Sequence, residues 1–177
     1  MSRITGSWLS GPNGEPRDEA PGDYQGKDLG LPKSGVGALA PMVRRVPAFV
    51  LDWFIALGLT AIIVRPNSDA LMAKFISNYP DQELPSRFTL IAGELVNYNI
   101  FVWFGIGLIG VTLFGFTPGQ YFLRIRVSRV DADAPVGFIR ALVRQLILIF
   151  VIPALFTDAN GRGMHDRATG TGLVYSR

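Results

Sequence analysis

The chain reads as an all-α membrane protein: two transmembrane helices, a third apolar helical segment that is spanning or re-entrant, and a short β-strand pair at the cytoplasmic face. Three observations predict this. Hydrophobic residues make up 49% of the 177 and charged residues only 18%, below the roughly 25% charge of an average soluble protein. The mean hydropathy is +0.29 even though residues 1–40 are polar, so the apolar content is concentrated downstream. Two separate runs then match in length a hydrocarbon core of about 30 Å.

Residues 1–41 are rich in Gly, Pro and mixed charge without apolar periodicity, which predicts a disordered cytoplasmic tail. The tail lacks the basic stretch, apolar core and cleavage site of a secretory signal, so the first span is expected to act as the targeting signal. Residues 42–177 form the membrane domain.

Its first span is "VPAFVLDWFIALGLTAIIV", residues 46–64, about 28 Å as a helix. Pro47 is placed in the first turn, where a missing N–H costs little, and Arg65-Pro66 ends the run. Residues 67–93 form a loop with a short amphipathic helix around Ala70 to Ser77. The second span, residues 95–116, closes at Thr117-Pro118-Gly119.

In "YFLRIRVSRVDADAP" apolar and basic residues alternate with period two from Arg124 to Ser128, and "DADAP" supplies a turn. This predicts a strand, with "TGLVYS" near the C-terminus as its partner. Between them, residues 138–156 ("FIRALVRQLILIFVIPALF") form the third segment, interrupted by Pro153. Re-entry is the favoured geometry, because it leaves both strands on one side.

Basic residues decide the orientation. Arg44 and Arg45 precede the first span and Arg124, Arg126, Arg129 and Arg140 follow the second, whereas the intervening stretch from Arg65 to Glu94 holds three basic and four acidic residues. The N-terminus and the arginine strand are therefore expected in the cytoplasm, in a multi-pass protein of a bacterial plasma membrane.

Asp52 is the costly residue of the first span. Ala48, Asp52, Ala56 and Thr60 form one row at four-residue spacing, and rows of small residues are where membrane helices meet. Asp52 is thus expected to face protein. Arg45 lies two turns earlier on the same stripe, too far for an easy direct pair, so Arg144 is the expected partner, with Arg140 next. An ionisable residue within a span costs about 2.5 to 3.5 kcal/mol and marks a functional site or a static helix lock.

A second cluster, "GRGMHDRATGT", places His165, Asp166 and Arg167 side by side. A loop-capping network is its plainer reading. Glu94, Asn97 and Asn99, at the outer mouth of the second span, are secondary polar candidates for a cation.

Four blocks in order, "RRVPAFVLDWF", "FTPGQYFLRIRV", "RALVRQL" and "GRGMHDRATGTGLV", resemble the RDD family of bacterial membrane proteins over about residues 42–175. The resemblance implies that the arginine and two aspartates for which the family is named fall on Arg45, Asp52 and Asp166; Arg44 does not match the family's seven-residue spacing. "TPGQ" stands here for the usual "TPGK", and "GTGLV" for "GTxVV". A presumed transport role, with cation/proton exchange among some relatives, is what the resemblance implies.

The composition also excludes much. There is no cysteine and one histidine, so neither a metal nor a cofactor is expected. No phosphate loop, nucleophile elbow or HExxH helix occurs, and no enzyme is expected. The net charge of +3 and the lack of a stacking platform beside the arginines argue against nucleic acid and for anionic headgroups. The expected partners are the lipid bilayer and monovalent cations or protons. Few spans for a translocation path imply a homo-oligomer or a larger membrane complex. The alternative function is a non-catalytic accessory subunit or assembly factor of such a complex.

Overall fold

Two long helices form the frame: α1, Met42–Val64, and α3, Arg87–Phe114. The computed structural model describes residues 24–150, 157–158 and 161–176. At 1.5 Å per residue α1 and α3 measure about 34 and 42 Å, and both are long and apolar enough to cross a membrane. The core helix of a soluble protein would be mostly covered, yet only 22% and 28% of their apolar windows are buried. Phe54, Ile62, Ile63, Phe101 and Leu113 are all exposed, as they would be where lipid replaces water.

The buried stripe of α1 is Arg45, Ala48, Asp52, Ala56 and Thr60, the row that four-residue spacing predicts. The small side chains on this stripe let α3 approach, and Phe49 and Trp53 close over Trp103 at ring separations of 5.3 and 6.1 Å. Further along, the Thr60 hydroxyl donates to the Ala56 carbonyl at 2.8 Å and lies 3.4 Å from Asn99 Oδ1.

The helix starts lie upstream of the apolar runs, α1 after Pro41 without a side-chain cap and α3 behind one, and hydropathy registers neither. α1 starts at Met42 rather than Val46. Pro47 therefore stands in the second turn instead of the first, and the Val43 carbonyl loses its usual amide donor. α2, Ser68–Asn78, is capped by the Asn67 side chain. α3 starts at Arg87 rather than Leu95, capped by Ser86, whose side chain accepts from the Thr89 amide at 3.1 Å. The short helix expected around Ala70 to Ser77 is thus present as α2, and only the last part of the expected loop, from Arg87, belongs instead to α3.

α3 stops at Gly115, whose φ of 77° provides the left-handed cap. The chain then folds back as α4, Pro118–Phe122, opened by a capping box between Thr117 and Gln120. β1, Ile125–Arg129, pairs antiparallel with β2, Thr171–Tyr175, with Val127 opposite Leu173, so the strand pair predicted from period two is present. Between the strands lie α5, Phe138–Ile149, and α6, Met164–Thr169.

The disordered tail was expected to reach residue 41, and its last part departs from that. Residues 1–23 lie outside the described residues. Leu39 bridges Val174, and amides at Gly37 and Ala40 donate to Tyr175 and Leu173. The free edge of β2 is thereby covered, which removes a pairing liability, and Ala38 and Ala40 are buried.

α5 is amphipathic in the reverse sense of a soluble helix. It buries Ala141, Arg144, Gln145 and Leu148 and exposes Phe138, Ile139, Leu146 and Ile149. Its 12 residues reach about 18 Å, less than a hydrocarbon core. Residues 151–156 of the expected third segment lie outside the described residues.

α1 and α4 cross at Gly119, where an added Cβ would overlap the Ala48 carbonyl oxygen and come 3.0 Å from the Asp52 carboxyl. Gly119→Ala should therefore cost about 1–3 kcal/mol by forcing the two backbones apart. Gly58→Ala, which adds its methyl to open space on the same helix, should be neutral or stabilising by about 0.5–1 kcal/mol. Thermal unfolding of the two variants in detergent measures the contrast.

Candidate functional site

The buried stripe of α1 ends in a cavity of about 280 Å³ at the end of the molecule where α1 begins, α3 ends and the strands pair. Arg45 and Asp52 reach it from α1, Thr117 and Gln120 from the start of α4, Arg144 and Gln145 from α5, and His165 from α6. Four chain segments far apart in sequence thus place polar groups around one space. The remaining wall is apolar, chiefly Phe49, Trp103 and Leu148.

Asp52 does face protein, but its direct partners are not the expected ones. Its carboxylate accepts hydrogen bonds from the Thr117 hydroxyl and, at 2.7 Å, from the Gly119 amide. The Thr117-Gln120 capping box holds that turn open toward α1: Gln120 Oε1 accepts from the Thr117 amide at 3.1 Å. Arg144, proposed as the ion partner of Asp52, instead donates from Nε to Asp166 Oδ1 at 2.9 Å, with both side chains buried. Arg140, the second choice, donates to the Thr169 carbonyl and to Asp131, each within 2.8 Å. The correction has a simple physical cause. An amide and a hydroxyl on an adjacent turn satisfy a carboxylate without bringing a second full charge out of water.

Arg45 shares the stripe with Asp52 but donates from Nε to the Ala40 carbonyl at 2.7 Å. That contact ties α1 to the segment covering β2.

Asp166 is fully buried. Oδ1 receives Arg144 and the Thr171 hydroxyl, the latter at 3.2 Å, while Oδ2 lies 3.5 Å from His165 Nε2. Burial alone would raise this carboxyl, but the charges of Arg144 and its other neighbours and the Arg144 hydrogen bond hold it below the ordinary carboxylate range. For His165 burial wins. Desolvation, helped by Arg144 and Arg45 and opposed by Asp166, pushes it down to about 4, so the imidazole is neutral at pH 7. At the surface Asp131 is drawn down to about 2, chiefly by its hydrogen bond from Arg129, with Arg140 adding a second.

The secondary candidates do not assemble. Asn99 is fully buried beside Thr60, Glu94 is half-buried and Asn97 is exposed. No hydrogen bond links the three. Among the described residues no group of three or more His, Asp or Glu gathers in a way that could hold a metal ion.

Sequence reasoning passed over Thr117, Gly119, Gln120 and Gln145 as contributors. The first three carried a readable signal, since Thr-x-x-Gln is a capping box and the block "TPGQ" follows a span. Gln145 had none, because its place in the wall depends on how α5 rolls against Gly107, where an added Cβ would strike the Gln145 amide.

Asp166→Asn leaves Arg144 buried without a counter-charge and should lower stability by about 3–5 kcal/mol, whereas the apolar double substitution Arg144→Met with Asp166→Leu should cost less than either single change. A thermal-unfolding cycle in detergent measures this coupling.

The neutral His165 sets a second expectation. Its folded pKa of about 4 lies below the unfolded value near 6.5, so below pH 6.5 the unfolded chain takes up a proton that the folded chain refuses. Stability should fall as pH drops from about 6.5 to 4, by up to about 3 kcal/mol. His165→Gln should remove that part of the slope in pH-resolved melting curves.

Over residues 39–170, well over half of the chain, the sequence matches the family model described as "RDD family". No curated protein and no solved structure matches it.

Proposed function

The chain belongs to the RDD family, and from that membership together with the cavity we propose that it moves an ion or small solute across a membrane. One observation carries the reading. Buried Arg45, Asp52, Arg144 and His165 converge from three helices on a single partly open cavity, although ionisable side chains beside a span are expensive unless used. Arg45, Asp52 and Asp166 form the charge cluster of the proposed site, and Arg144 holds Asp166.

In this mechanism the cavity admits the solute at the end where Arg44, Arg124, Arg126 and Arg129 collect. The positive-inside rule makes that end cytoplasmic, which leaves the N-terminus in the cytoplasm. Asp52 is the group whose protonation or binding changes during the cycle. It is tied to α4 through Thr117 and Gly119, so a change in its charge alters the contact between α1 and α4. α1 and α3 alone enclose no continuous path, so translocation requires several copies side by side, with α5 lying at the lipid boundary as a re-entrant or interfacial element.

A second reading, an accessory subunit that packs on a larger membrane complex, is favoured by the same scarcity of spans and by their largely uncovered surface. One measurement separates the two. Reconstituted into proteoliposomes, the wild type should move cations, protons or small solutes faster than empty vesicles leak them, and Asp52→Asn should return the rate to the empty level while remaining folded. Equal rates for wild type, Asp52→Asn and empty vesicles would remove transport and leave the accessory role.

A further inference from the structure

The cavity carries a surplus of hydrogen-bond donors. Among the described residues Arg45 Nη2 and Gln145 Nε2 are buried without a partner. Both residues line the cavity and are 8% and 2% exposed. Each atom can only donate, and leaving a buried donor unmade costs free energy. His165 Nδ1 is a third unpartnered atom in the wall, able to donate or accept as the neutral ring requires.

The acceptors nearby are already engaged. Both Asp52 oxygens are turned toward Thr117 and Gly119, and Asp166 Oδ1 takes Arg144 and Thr171. Asp166 Oδ2 has no hydrogen-bond partner, but it faces His165 Nε2 and Asp166 does not line the cavity. Among the described residues Arg45 donates to a neutral carbonyl, and Asp166 and Asp158 act on its charge only from a distance. The side presented to a guest is therefore one guanidinium edge without a hydrogen-bond partner among the described residues, one amide N–H pair, and an apolar wall of Phe49, Trp103 and Leu148.

We propose that the cavity binds a small organic carboxylate with a short apolar body, the carboxylate on Arg45 and Gln145 and the body against Phe49, Trp103 and Leu148. Two donors on one side suit the two oxygens of a carboxylate, and guanidinium-carboxylate contacts are among the stronger hydrogen bonds. A bare cation or an alkylammonium would instead leave both donors unmade and add positive charge beside Arg45 and Arg144. The assignment rests on the reading of this cavity as a solute site and names its substrate class.

The test uses the full chain in nanodiscs of an uncharged phospholipid. Sodium 3-methylbutanoate, 3-methylbutylammonium chloride and sodium chloride are titrated at equal ionic strength, and binding is read by calorimetry. The carboxylate should bind saturably and the other two should not. Gln145→Leu, folded by its melting curve, should weaken it about ten-fold, the equivalent of one charge-assisted hydrogen bond, and Arg45→Gln by more. Tighter binding of the ammonium, or a carboxylate response that Gln145→Leu leaves unchanged, overturns the proposal. The two readings fail separately. Carboxylate binding without flux in proteoliposomes removes transport and keeps this assignment, whereas Asp52-dependent flux with no carboxylate binding keeps transport and removes it.

Discussion

The fold depends on how one carboxylate is satisfied. Asp52 sits on the buried face of a helix long and apolar enough to cross lipid, where an unsolvated charge is costly. The hydroxyl of Thr117 and the amide of Gly119 receive it. That contact pins the turn after α3 to the middle of α1, so the two long helices are clamped together close to one end. Gly119 has to be a glycine for the clamp to close, because the Ala48 carbonyl occupies the space of any Cβ. The strand β1 follows directly from this turn, and the position of β2 and α6 follows from β1.

A second constraint is the reversed polarity of α5. In water a helix hides its apolar face, but here Arg144 and Gln145 are inside and Ile139, Leu146 and Ile149 are outside. Such a helix is stable only if apolar surroundings cover its outer face and a counter-charge waits inside. Asp166 provides the counter-charge. Replacing that pair with apolar residues would cost little in packing. The pair therefore explains specificity of docking between α5 and α6 better than it explains stability.

The two constraints meet at the cavity. Asp52 is satisfied by neighbours on another element and Asp166 Oδ1 by Arg144 and Thr171, while Arg45, on the same helix face as Asp52, keeps part of its guanidinium without a partner among the described residues. The wall of the cavity thus presents a saturated carboxylate, Asp52, beside unsaturated donors, a chemical asymmetry that a network of paired charges would not show. Neutral His165, held in that form by burial, adds no charge to it at pH 7.

Periodicity by itself determined much of this architecture. The row Ala48, Asp52, Ala56, Thr60 could be assigned to the buried face of α1, and the alternation around Arg126 to a strand, because side-chain direction along a helix or strand follows from backbone geometry alone. The family blocks likewise marked Arg45, Asp52 and Asp166 from the sequence. Which group touches which was decided only by the tertiary structure. Arg144 is chemically as able to pair with Asp52 as with Asp166, and the choice depends on the roll of α5 and the return of the chain through α6. Residues 37–40 carry no strand pattern, yet they pair with β2 because its free edge lies beside them. The starts of α1 and α3 moved outward for a different reason, since hydropathy counts apolar side chains and not helix starts; a neighbour acts through space, and spacing along the chain records only what one element does to itself.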